Sequence, residues 1–114
     1  LDYMLCRFCG ILENLVVFPE NMMTNIYRTD GVIFAQRVMN CLISKGLSRE
    51  SAYDTVQPLA MQAWSNHVPF KGLLEQSDNV TKYLSASEID SCFTMEYYFK
   101  NVQFIFDRVF LKQE

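Results

Sequence analysis

From Leu1 to Leu111 the apolar residues recur every three or four positions, and no stretch alternates apolar with polar residues between turn glycines. That period belongs to helices that bury one face, and it argues against a sheet. The chain is therefore expected to be all-α. Half of its 114 residues are hydrophobic, which suits one domain with a real core; a disordered chain carries far fewer. No apolar run exceeds four residues, and Leu15-Val16-Val17-Phe18 stops at Pro19, far short of the roughly 18–20 residues of a membrane span.

The stripe is already running at the first residue. Leu1, Met4, Leu5, Phe8, Leu12, Leu15 and Val16 share helical spacing, and no Ser, Thr, Asp or Asn precedes them as a cap. A helix that starts in mid-pattern reads as the end of a longer one, so the chain is expected to be a fragment. With Asp2, Arg7 and Glu13 in it, this stretch reads as helix and not as a secretory leader.

The first helix is expected to run to about Val17, because the residue before a proline avoids helical geometry. A helical turn over Met22–Tyr27 follows, and then a helix capped by Thr29 or Asp30 that stops at Lys45-Gly46. Ser48 caps a helix across Arg49–Asn66, with Ala52, Tyr53, Val56, Ala63 and Trp64 on its inner face and a kink at Pro58. Pro69 opens a short helix. Ser77 or Asp78 caps another, and Ser85-Ala86-Ser87-Glu88 has the capping-box form. Thr94 is expected to cap one last helix, from Met95 to about Leu111, with Phe106 in the core.

Few residues point to chemistry. Ten basic against thirteen acidic residues leave a net charge of −3, which argues against nucleic-acid or anionic-membrane surfaces. Four cysteines are too few for a disulfide scaffold and fit a reducing cytoplasm. Cys6 and Cys9 form a C-x-x-C inside a helical pattern, and Cys41 and Cys92 are isolated in sequence. All are expected to act as small buried hydrophobes, with no metal site. His67 is the single histidine; in a loop beside Pro69 it is expected to be solvated. The acidic pairs Asp2/Glu13, Glu88/Asp90 and Glu96/Asp107 belong on helix surfaces. Arg28 and Arg37 are the candidates for contact with an anion, against the commoner outcome of an ion pair with Asp30 or a neighbouring helix. No catalytic residue emerges from spacing alone.

Longer segments carry a resemblance. Asn14-Leu15-Val16-Val17-Phe18-Pro19-Glu20-Asn21-Met22 resembles the exit from the last long core helix of bacterial adenylosuccinate lyases. Thr29-Asp30-Gly31 through Gln36-Arg37-Val38 resembles the first helix of their C-terminal domain. Gly46-Leu47-Ser48-Arg49-Glu50, Ala52-Tyr53-Asp54-Thr55-Val56-Gln57-Pro58 and Ala60-Met61-Gln62-Ala63-Trp64 are similar to the next. Val68-Pro69-Phe70, Leu84-Ser85, Ile89-Asp90-Ser91-Cys92-Phe93, Tyr98, Lys100-Asn101-Val102 and Ile105-Phe106 follow in order.

The resemblance implies a fumarase/aspartase-type lyase: a homotetramer on a central helical bundle, with no metal or organic cofactor. Such lyases release fumarate by β-elimination from adenylosuccinate and from the succinyl-carboxamide ribotide of purine synthesis. Residues 1–17 would then be the end of the last bundle helix, and 18–114 the C-terminal helical domain. The family's serine loop, with its Met-Pro-x-Lys-x-Asn-Pro run, and its Thr-His segments match nothing here. His67 matches no family catalytic histidine, so no catalytic role is carried over. The chain alone is expected to be inert and to self-associate through residues 1–17. The alternatives are a self-contained helical interaction module and the same domain of another superfamily lyase, such as argininosuccinate lyase.

Overall fold

The computed structural model describes residues 1–111, and every regular element among them is helical. The first helix, α1, spans Asp2–Glu13 and ends before the expected Val17. Asn14 closes it, its side-chain Nδ2 donating to the Gly10 carbonyl at 2.7 Å. Residues 15–18 then run without regular structure into Pro19. Phe18 takes φ −115° and ψ 87°, outside the helical region that a following proline disfavours. The next helix, α2 (Pro19–Tyr27), begins three residues earlier than expected because proline suits the first helical position.

The corner after α2 turns on Asp30 and Gly31, with φ of 54° and 85°. A Cβ at residue 31 would lie 3.1 Å from the Phe93 ring, so glycine answers both the left-handed backbone and the close approach. Neither Thr29 nor Asp30 caps the following element with its side chain. Gly31 leads instead into a 3₁₀ turn, Val32–Phe34, and then α3 (Ala35–Ser44). The glycine stop is as expected: Gly46 is left-handed at φ 102°. Its amide donates to the Ile43 carbonyl at 2.9 Å, and that of Leu47 to Leu42 at 3.3 Å, which is the Schellman pattern.

Ser48 caps α4 (Arg49–Asn66), its hydroxyl oxygen accepting from the Ser51 amide at 3.1 Å. The helix runs unbroken across Pro58. Pro69 precedes α5 (Phe70–Gln76) rather than opening it, and α6 (Asp78–Thr81) has no side-chain cap. α7 (Ala86–Cys92) carries the expected capping box. Glu88 Oε2 accepts from the Ser85 amide at 2.9 Å and its hydroxyl at 2.9 Å, and Glu88 also pairs with Lys45 at the end of α3.

Lys45 and then the two Ser85 bonds hold the Glu88 carboxyl down at about 2, against an ordinary 4.5. A depressed carboxylate contributes stability above its unfolded value and loses it as pH falls through the folded one. Glu88→Gln should therefore be less stable than the parent above about pH 4.5. Thermal midpoints of the two proteins should converge as pH falls towards 2; a gap that stays constant across that range would place the effect elsewhere.

α3 packs on α4 and α7, while α5 contacts α4, α6 and α7. Their inner faces supply the core: Phe34, Val38, Leu42, Val56, Phe70, Leu74, Ile89 and neighbours. Trp64 departs from expectation at 56% exposed, and Tyr53 is also exposed. The buried line of α4 is Ala52, Val56 and Ala63, and Trp64 lies about 100° round the helix from Ala63.

The expected C-terminal helix is two helices, α8 (Glu96–Phe99) and α9 (Val102–Phe110), parted at Lys100-Asn101. Thr94 caps neither; its hydroxyl donates back to the Ser91 carbonyl at 3.1 Å. Tyr98 of α8 lies 6.3 Å from Phe34, yet neither α8 nor α9 buries a residue. Phe106 is thus 55% exposed and not a core residue. α1 likewise buries no residue, and Cys6 and Cys9 on it are exposed rather than buried. These ends stretch the chain to 59 × 36 × 24 Å with a radius of gyration of 19.6 Å, against about 13 Å for a compact domain of this length.

Candidate functional site

Arg37 sits in the first turn of α3, and Tyr97 of α8 lies over it. The guanidinium carbon lies 4.0 Å from the Tyr97 ring centroid, and Lys100 Nζ approaches the same ring at 4.6 Å. Two cations therefore share one aromatic ring, each contact worth about 0.5–2 kcal/mol. Arg37 Nε and Nη1 and Thr29 Oγ1 are buried atoms without a hydrogen-bond partner. Unsatisfied guanidinium donors at such a position favour an anionic ligand, because desolvation has a cost that only charge-assisted bonds offset.

The expected ion pair between Arg37 and Asp30 is not made. Asp30 Oδ2 instead faces His67 Nδ1 at 3.5 Å, and among the described residues no carboxylate pairs with Arg37. Arg28 stays exposed at the end of α2; the second cation at the Tyr97 ring is Lys100. Sequence reading missed Tyr97 and Lys100 because they lie about sixty residues from Arg37 and no local pattern links them.

Behind Arg37, Cys41 and Cys92 meet. Although 51 positions apart in sequence, their sulfurs lie 3.4 Å from each other across α3 and α7. Cys92 Sγ is also 3.3 Å from the Glu88 carbonyl oxygen. Burial pushes the Cys92 thiol up to about 11, Cys41 adds to the rise, and the Arg37 charge opposes it. These cysteines are thus a contact pair, not the isolated thiols expected.

His67 is 86% exposed at its side chain and takes the left-handed position, φ 51°, that ends α4. Of the acidic pairs, Glu88 pairs with Lys45, Asp90 binds Lys71 at 2.6 Å and Asp107 accepts from Gln103 at 2.7 Å. The Asp90 bond also raises the affinity of Lys71 for its proton. Among the described residues no cluster of three His, Cys, Asp or Glu side chains has metal-binding geometry. No helix among them is long and apolar enough to cross a membrane.

A family model described as "Adenylosuccinate lyase C-terminus" matches residues 31–109, a span that holds Arg37, Cys41, Cys92, Tyr97 and Lys100. The adenylosuccinate lyase of Bacillus subtilis is 53% identical over 109 residues, covering 96% of this chain and 25% of that protein. That of Streptococcus mutans is 54% identical over 109 residues, with the same coverage of 96% and 25%. That of Staphylococcus saprophyticus is 46% identical over 112 residues, 98% of this chain and 26% of that protein. The chain thus spans about a quarter of the length of these relatives.

Proposed function

Because the chain belongs to the adenylosuccinate lyase C-terminus family, we propose that it works as the C-terminal helical domain of an adenylosuccinate lyase. In that role it serves a cytoplasmic homotetramer. The enzyme eliminates fumarate from adenylosuccinate, leaving AMP, and from the succinyl-carboxamide ribotide, without a metal or organic cofactor. The observation that carries the reading is the match of nearly the whole chain to one quarter of each relative.

Arg37 is the group this domain offers to the substrate. Adenylosuccinate carries a phosphate and two carboxylates, and a guanidinium with free buried donors suits any of them. Tyr97 orients the guanidinium by stacking, and Lys100 adds positive potential. The proton transfers belong to the rest of the enzyme, since the family's serine loop and Thr-His segments match none of these 114 residues.

The chain alone should therefore give no lyase turnover, each absent proton-transfer group contributing some 10²–10⁴-fold. Fumarate release is followed in the ultraviolet with purified chain and adenylosuccinate. Turnover that survives removal of contaminating whole enzyme contradicts this division of labour.

The apolar stripe of α1 belongs, in this reading, against the central bundle. Leu1, Met4, Leu5, Phe8, Leu12 and Leu15 are all exposed, and contiguous apolar surface of this kind marks an interface. The chain alone should self-associate through it. Sedimentation should give a species larger than monomer for the parent and monomer for Leu5→Glu/Leu12→Glu. A parent that stays monomeric at high concentration speaks against α1 as an interface.

A further inference from the structure

The Cys41–Cys92 contact has no part in the proposed lyase role, and what it does chemically is independent of that role. We propose that the two thiols are a modification site: they close to an intramolecular disulfide tying α3 to α7 when the protein meets hydrogen peroxide. The sulfurs already lie 3.4 Å apart. A disulfide needs about 2.05 Å, so the sulfurs have only a short approach left to make. Their helices pack directly on one another, which keeps the pair in register.

The two cysteines divide the reaction by exposure. Cys41 is partly accessible and Cys92 is buried, so peroxide reaches Cys41 first. Arg37 lies one turn before Cys41 on the same helix. The Cys41 sulfur attacks one peroxide oxygen, the O–O bond breaks, and the departing hydroxide takes the Cys41 proton as water. Cys41 is then a sulfenic acid. The Cys92 sulfur attacks the Cys41 sulfur, the S–O bond breaks, and the departing hydroxide takes the Cys92 proton as a second water. Two thiols lose two electrons and one peroxide becomes two waters. The bond lies one helical turn from Arg37, so it fixes the part of α3 that carries that cation.

The test uses the full chain carrying Cys6→Ser and Cys9→Ser, which removes the exposed pair on α1. After hydrogen peroxide and an alkylating quench under denaturing conditions, the intact mass should fall by about 2 Da with no alkylation. Proteolysis should yield one linked peptide pair holding Cys41 and Cys92, and dithiothreitol should restore both thiols. The thermal midpoint of the oxidised chain should rise by about 5 °C or more, because the bond closes a long loop. Adding Cys92→Ser should leave Cys41 as a sulfenic acid that dimedone traps. Three results overturn the proposal: Cys41 gains about 32 Da as a sulfinic acid while Cys92 remains alkylatable; disulfide-linked dimers form instead; or both thiols survive a peroxide excess.

Discussion

Phe70→Ala is expected to lower the unfolding free energy by about 3–5 kcal/mol, which is much of the stability a domain of this size possesses. Phe70 is fully buried where α5 meets the Gly31 corner. Its ring lies 6.1 Å from that of Phe93, and its amide donates to the Asp30 carbonyl at 2.9 Å. Removing the ring opens a cavity beside Phe93. Phe106→Ala is the control. Its ring is exposed in this chain, so the change should stay within about 0.5 kcal/mol. Denaturant midpoints of the three proteins decide it, and equal shifts for the two variants would mean that the core is misplaced.

Arg37→Ala, made in a whole lyase that carries this domain, should lower kcat/KM by about 10–100-fold, the value of one or two charge-assisted hydrogen bonds. Arg37→Lys should recover part of the loss, since it keeps the charge but not the planar fork. Tyr97→Leu should cost less than Arg37→Ala, because it loosens the guanidinium without removing it. Steady-state fumarate release at several substrate concentrations gives the values. An Arg37→Ala enzyme with unchanged kcat/KM would take Arg37 out of the site and leave its unpaired donors unexplained.

Local signals in the sequence were sound where the physics is local. Ser48, the Ser85–Glu88 box and Gly46 each satisfy backbone groups within a few residues, so neighbours in the chain decide them. The end of α1 was misjudged because Asn14 closes the helix before Pro19 can. Trp64 and Phe106 were misassigned for a different reason. Periodicity shows that a helix has an apolar face but not what covers it, and the stripes of α1 and α9 look like those of buried helices. The site was only half legible. Arg37 stood out as a cation at helical spacing, while Tyr97, Lys100 and the Cys41–Cys92 contact depend on how α7 and α8 return to α3, which no spacing encodes.

The most direct measurement of the central claim is fumarate release by a graft in which this chain replaces the matching C-terminal quarter of a relative's lyase. If the chain is that domain, the graft should assemble as the parent enzyme does and turn over adenylosuccinate within about tenfold of it, a difference of no more than ~1.4 kcal/mol in the barrier. A graft that folds and assembles like the parent yet releases no fumarate would contradict the account.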